Sequence, residues 1–531
     1  MPLDIYANKK STTGTATRVQ DVSPLSGLCP ICIEECPVLC EIGLSALRGK
    51  EALYPIPDYF GASTASSNKD YGLDWSHFNI QAELRGARGI AEDPDLAIFP
   101  NVSVETKIGG IKLRIPFLIA ALGSTKVAKK NWDSLAIGAA ISGTIMTVGE
   151  NVVGMDPDAR FDERGKVTDS ADLKYRIETY RKFWDGEHGD IVVQTNVEDM
   201  RLGVDEYALS KLEVNGIERK WGQGAKAIGG EVRLFDLDKA IMYKKRGYII
   251  IPDPEDPAVQ EAYRDGIIRS FERHSRVGMP KARDFVEDVE WLRERGAKYV
   301  TIKTGAYRPA VVAWTLKVAS EARVNYVTFD GAGGGTGMSP VPMMQEMGLP
   351  TVYLEAIVLK VVRVMRSKGM YVPDIAMAGG FSNETQVFKA IALSNFGEGP
   401  YVRAIAMARA PLTAVFKATY FAKLAKEGKL PSLIARKYGN DPTKLFAVLP
   451  ELKAKFKDRL SEIPYGAIGL YSYFDKMRYG LQQLIAGCRK WKLELIDRKD
   501  LMALTERASK VTGIPLVEEC DKDEIEEILG R

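Results

Sequence analysis

Lys303 is the one charged side chain in the otherwise uncharged run YVTIKTG (299–305), and a lysine inside such a strand needs an anion to compensate it. Downstream, residues 326–340 read YVTFDGAGGGTGMSP. The β-branched and aromatic start has the character of a strand, which breaks at Asp330 into Gly331, Gly333, Gly334, Gly335 and Gly337. Glycines in such number serve where backbone must approach a ligand closely or take positive φ. A strand ending in an acid and then a glycine loop belongs at the C-terminal mouth of a parallel sheet or barrel. Two further strand ends have the character of a phosphate site. Ala378-Gly379-Gly380 precedes a helical pattern that starts near Glu384, and Tyr401-Val402-Arg403-Ala404 follows it.

A cation and an anion-binding loop on neighbouring strands fit a flavin nucleotide. Lys303 would meet the N1–C2=O edge, which becomes anionic on reduction, and Gln194, closing DIVVQT, would hydrogen-bond the other pyrimidine edge. The alternative for Lys303 is an internal ion pair with Asp330 or Glu150. A Schiff-base lysine in a barrel lyase is a third possibility.

A second cluster lies near the N-terminus. Cys29, Cys32, Cys36 and Cys40 have the spacing C-x2-C-x3-C-x3-C. Thiolates are soft ligands, and short spacing lets one loop wrap one centre, [4Fe–4S] in preference to zinc. A straight helix would spread the four over ~16 Å, but Pro30 and Pro37 interrupt it. Four small buried hydrophobes are the alternative. With only three histidines, His77, His188 and His274, a Ser-His-Asp or Cys-His mechanism is disfavoured.

The elements that must position these groups repeat. From residue 107, eight apolar strand-like runs alternate with helical patterns: 116–122, 143–148, 190–195, 215–224, 299–305, 325–331, 374–380 and 399–405. Eight βα units make a TIM (β/α)8 barrel, an α/β fold. The expected organisation is a Cys-rich arm (1–50), a wrapping segment (51–106), the barrel (107–425) and a helical C-terminal extension (426–531). An insertion after the fourth strand, within 226–298, is expected to fold over the mouth as a lid. The net charge of +3 argues against a nucleic-acid or membrane-surface protein. No run of ~20 apolar residues is present to span a bilayer, and the polar N-terminus lacks a signal-peptide core. The chain is expected to be cytoplasmic and oligomeric.

Several segments, in order, resemble the FMN-binding synthase domain of glutamate synthases: PFLIAALGS (116–124), TVGEN (147–151), VVQTN (192–196), KLEVNGIERKWGQGAKAIGGEV (211–232), TIKTG (301–305), FDGAGGGTGMSP (329–340) and AMAGG (376–380). The resemblance implies that backbone around Ala120, Ala121 and Gly123 backs the flavin ring, with Gln194 and Lys303 on its polar edge. It implies a phosphate held by Asp330, Gly331, Gly333, Gly379, Gly380, Arg403 and Ala404. Ser124 and Lys226 fall where the family binds 2-oxoglutarate, and Glu150 faces the reacting nitrogen; Lys303, Glu150 and Lys226 are the implied catalytic set. The implied activity is reduction of the imine of a 2-oxo acid to an amino acid, in amino-acid biosynthesis. A ferredoxin or partner subunit would supply electrons, and ammonia would come free or from a partner. The alternative is an electron-transfer subunit of a larger redox complex. The family's cysteine trio after strand eight is absent from AIAMARAPLTAVF (404–416), leaving the N-terminal cysteines as the candidate cluster.

Overall fold

The computed structural model describes residues 40–49, 71–224, 228–332 and 347–530. Eight parallel strands close into a barrel. In chain order they are β1 (Phe117–Leu122), β2 (Met146–Val148), β3 (Ile191–Thr195), β4 (Gly216–Lys220), β5 (Tyr299–Thr304), β6 (Tyr326–Asp330), β7 (Asp374–Ala378) and β8 (Val402–Met407). Each corresponds to one of the eight runs read from the sequence.

Period-two alternation sends successive side chains of the strands outward and inward. Ile119, Val193, Ile217, Ile302, Phe329, Met377 and Ile405 face outward into the layer shared with the helices. Leu118, Ala120, Val192, Tyr326, Ala376, Ala378, Ala404 and Ala406 face inward. At the N-terminal end an antiparallel hairpin, Thr106–Ile108 paired with Ile111–Leu113, closes the barrel floor. Its turn residues Gly109 and Gly110 take φ of 58° and 101°, as a tight two-residue turn requires. Ile108, Ile111 and Leu113 plug the interior beneath Tyr326.

The helix Trp132–Ser142, between β1 and β2, is buried on nearly every side. An all-round apolar helix needs a second cover, and the long C-terminal helix Tyr465–Gly487 supplies it. Gly138 lies against Leu470, Gly466 against Ser134 and Thr419, and Gly469 against Ala418 of the helix Arg409–Lys426. Farther along the same helix, Lys476 pairs with Glu384 at 2.8 Å. The C-terminal extension is therefore packed into the barrel's helical layer. It also pairs with the segment before the barrel, Phe78–Ile80 running antiparallel to Leu501–Ala503.

The insertion after β4 has its own small core. Strands Glu231–Leu234, Phe271–His274 and Ile249–Ile251 form an antiparallel sheet with Phe271–His274 in the centre. Leu234, Ala240, Tyr243, Tyr248, Ile250 and Phe271 are buried together. The helix Ala282–Glu294 then returns the chain to β5.

Candidate active site at the barrel mouth

The C-terminal strand ends gather charged and amide groups on one side of the mouth. The register sets Lys303 beside Lys220 and Gln194 beside Glu218. Lys220 Nζ stands 3.3 and 3.4 Å from the two Glu150 carboxylate oxygens. It also donates to Gln194 Oε1 at 3.4 Å and to Gln223 Oε1 at 2.6 Å. Gln194 Nε2 in turn donates to Glu218 Oε1 at 2.6 Å. Lys303, 5 % exposed, pairs loosely with Asp330 at 3.8 Å. The internal ion pair anticipated as the alternative for Lys303 is thus present, yet too long to saturate the ammonium.

Burial and charge oppose one another in this cluster. Burial pushes the Glu150 carboxyl up, but Lys220 and Lys303 outweigh it and the net direction is down. Burial keeps Glu218 raised, only partly offset by Lys303 and its bond from Gln194. Burial lowers Lys220, against the pull of Glu150. The mouth therefore sets a carboxyl held below its ordinary range, Glu150, beside one held above it, Glu218, with Lys220 and Lys303 against them.

The opposite wall is small and apolar. Ala120, Ala376, Ala378, Ala404 and Ala406 line the interior from β7 through β8 to β1. Behind it the strand-end loops press backbone on backbone. A Cβ on Gly149 would come within 2.6 Å of the Leu122 carbonyl carbon, and one on Gly123 within 2.5 Å of the Glu150 carbonyl oxygen. Gly149→Ala must therefore separate the β1 and β2 loops. It should cost about 3 kcal/mol, the upper range for forced overpacking, read as a lower urea midpoint at unchanged m-value. A midpoint equal to that of the parent would show that the loops are not tightly apposed.

At β6 and β7, Gly331 N donates to the Ala378 carbonyl, and Thr351 Oγ1 to the Gly379 carbonyl at 2.6 Å. Gly379 and Gly380 take φ of 114° and 96°. The helix Glu384–Leu393 follows, its N-terminus closed by an Asn383–Gln386 capping box. Next to it, Ser382 Oγ is buried without a hydrogen-bond partner among the described residues, as are Thr147 and Thr328 Oγ1 on the inner strands. Orphaned hydroxyls beside a face of alanines fit a planar, polar-edged group with an anionic tail.

Most residues singled out from the sequence come together here: Ala120, Ala121, Gly123, Ser124, Glu150, Gln194, Lys303, Asp330, Gly331, Gly379 and Gly380 all lie at or just beyond strand ends. Lys226, Gly333, Cys29, Cys32 and Cys36 fall outside the described residues. Cys40, half-buried, is the N-cap of the helix Glu41–Arg48. Arg403 and Ala404 are corrections to the expected phosphate set. β8 starts at Val402, so Arg403 sits at the barrel floor, where its carbonyl accepts from Thr106 Oγ1 and its guanidinium pairs with Asp374 at 3.6 Å. A separate cleft of about 450 Å³ opens there, lined in part by Lys107, Asp374 and Arg403. Ala404 is an inward-facing strand residue in the interior layer. The arginine at the mouth end of β8 is Arg409, which opens the helix Arg409–Lys426.

Three groups were missed in the sequence: Glu218, Lys220 and Gln223. Glu218-Arg219-Lys220 looks like a solvated charge run, but strand alternation sends Arg219 outward to Asp205 and Asp288 and the other two inward. That alternation was the available signal.

The insertion sits over the β2 and β3 ends. Arg246 donates to the Gly154 and Asp156 carbonyls, and Arg276 pairs with Glu198 at 3.0 Å.

Residues 270–407, which run through β5 to β8 and carry Lys303, Asp330, Gly379 and Gly380, match the conserved region in glutamate synthase. The chain is related to the glutamate synthase family. A glutamate synthase large subunit-like protein of Rhizobium meliloti (strain 1021) is 24% identical over 417 residues, covering 76% of this chain and 78% of that protein. An archaeal-type glutamate synthase (NADPH) of Thermotoga maritima is 28% identical over 309 residues, covering 57% of this chain and 50% of its own length. The match thus spans about half of that relative. Among solved structures, the recombinant flavin-binding domain of baker's yeast flavocytochrome b2 aligns with a TM-score of 0.47 at 12% identity, covering 86% of this chain and 82% of that one. No helix among the described residues is long and apolar enough to cross a membrane.

Proposed function

We propose that this chain is an FMN-dependent oxidoreductase of the glutamate synthase type. It reduces the imine of a small 2-oxo acid, 2-oxoglutarate-like, to an amino acid. Electrons arrive from a ferredoxin or a partner redox subunit through an iron–sulfur centre on Cys29, Cys32, Cys36 and Cys40. The observation that carries this reading is the asymmetry of the mouth: Gln194, Lys220 and Lys303 on β3 to β5, with Glu150 just beyond β2, face an alanine wall on β7, β8 and β1. Bound there, FMN supplies the two-electron chemistry that converts a C=N bond, made from the oxo acid and ammonia with loss of water, to an amine.

The chain's own groups divide the remaining work. Lys303 and Gln194 hold the polar edge of the ring, and the Gly379–Gly380 turn with Ser382 receives the phosphate. Lys220, with Gln223 to orient it, meets a substrate carboxylate, a charge-assisted contact. Ser124 and Lys226 belong to the same substrate set. Glu150, ionised beside Lys220, accepts a hydrogen bond or a proton from the substrate nitrogen.

Chemically reduced protein tests the assignment. A 2-oxo acid together with ammonium should reoxidise it, while neither alone should. Failure of every small 2-oxo acid with ammonium would discard the imine substrate. The cluster is tested separately: Cys32→Ser should lose iron and acid-labile sulfide while keeping its flavin. Retention of full iron would remove these cysteines from metal binding.

A further inference from the structure

The insertion does more than lie over the mouth, because two of its hydroxyl groups end on the residue next to Glu150. Asn151 holds a left-handed backbone with φ of 65°, a conformation that asparagine tolerates better than other side-chain-bearing residues. Its surroundings keep it there. The Asn151 N–H donates to both carboxylate oxygens of Asp199, at 3.2 and 2.9 Å, and the Asn196 N–H donates to the same group. Asn151 Oδ1 accepts from Tyr248 OH at 3.1 Å and from Asn196 Nδ2 at 3.1 Å, and Asn151 Nδ2 donates to Ser275 Oγ at 3.0 Å. Tyr248 and Ser275 both belong to the insertion.

These contacts are sealed from solvent. Asn151, Tyr248, Arg273 and Ser275 are 2, 3, 1 and 2 % exposed. Arg273 lies over the Tyr248 ring at 5.0 Å and donates to Ser275 Oγ, tying the two insertion hydroxyls together. The Tyr248 ring fills the space beside Gly154, where any Cβ would meet it. From the other side the Glu150 carbonyl is pressed against Gly123. Glu150 is thus fixed between the β1 loop and a residue gripped by the insertion, and its carboxylate meets Lys220.

We infer that Asn151 is a positioning residue and that the insertion, through Tyr248 and Ser275, clamps Glu150 against Lys220, so that the site is complete only when the insertion is seated. The importance of Glu150 rests on the function proposed above; the clamp itself does not.

Hydrogen–deuterium exchange on the full chain separates the two. In Tyr248→Phe/Ser275→Ala, amides of residues 149–155 should exchange at least ~10-fold faster, the equivalent of about 1.4 kcal/mol of local stability, while β6 stays protected. Ser275→Thr, which keeps the hydroxyl, should restore the slow rate. Unchanged exchange at 149–155 in the double variant, or in Tyr248→Phe alone should the double variant not fold, would overturn the clamp. Absence of bound flavin would instead count against the proposed function and leave the exchange result to decide the clamp.

Discussion

Lys303→Met should lower the two-electron potential of bound FMN by about 60 mV. A unit charge ~4 Å from a partly buried anion is worth about 4 kcal/mol at an effective dielectric near 20. Neighbouring Lys220 recovers part of that, leaving about 3 kcal/mol, and 30 mV corresponds to about 1.4 kcal/mol for a two-electron couple. The loose 3.8 Å contact with Asp330 means that the ammonium is available to a ligand edge. Its removal also leaves Asp330 without that cation, which disfavours an anionic reduced ring further. Titration against reference dyes measures the potential, and Lys303→Arg, retaining the charge, should shift it less. A potential equal to the parent's would take Lys303 away from the ring edge.

Lys220→Met should reduce kcat/KM on the order of a hundredfold, about 2.7 kcal/mol of lost charge-assisted contact. The same variant should reverse the pH dependence contributed by Glu150. In the parent, Glu150 is held below its ordinary value, so its ion pair adds stability above the unfolded carboxylate pKa. That stability is lost as the pH falls through the lower folded value. Without Lys220, burial dominates and the carboxyl moves up. Stability then declines as pH rises from the ordinary carboxylate range toward the raised value, because the unfolded chain releases its proton first. The urea midpoint of the variant should therefore fall below that of the parent by more at about pH 8 than at about pH 5. Parallel profiles would mean that Lys220 does not govern Glu150.

Much of this architecture was legible as pattern. The eight strands are short apolar runs of strand composition, and the closed barrel needs each of them. Lys303 and Asp330 were visible because a charge inside or closing an apolar strand has few structural explanations. Arg403 was misplaced because Gly399-Pro400-Tyr401-Val402 looks like a strand start, whereas β8 begins only at Val402 and its inward residues are alanines with weak strand character. The register irregularity between β7 and β8 at Ile375/Ala376 adds to that offset. Lys220 was hidden in a charge run whose middle member faces the other way. The clamp on Asn151 was beyond local pattern, since Tyr248 and Ser275 are 97 and 124 residues away in sequence. Such contacts are set by how the insertion docks.

The most direct test of the account is an absorption spectrum of the full chain purified without oxygen, with FMN and iron quantified on the same sample. Flavin bands at one FMN per chain over a broad iron–sulfur shoulder are the expected result. Folded protein that neither retains FMN nor takes it up on addition would contradict the assignment of the barrel mouth.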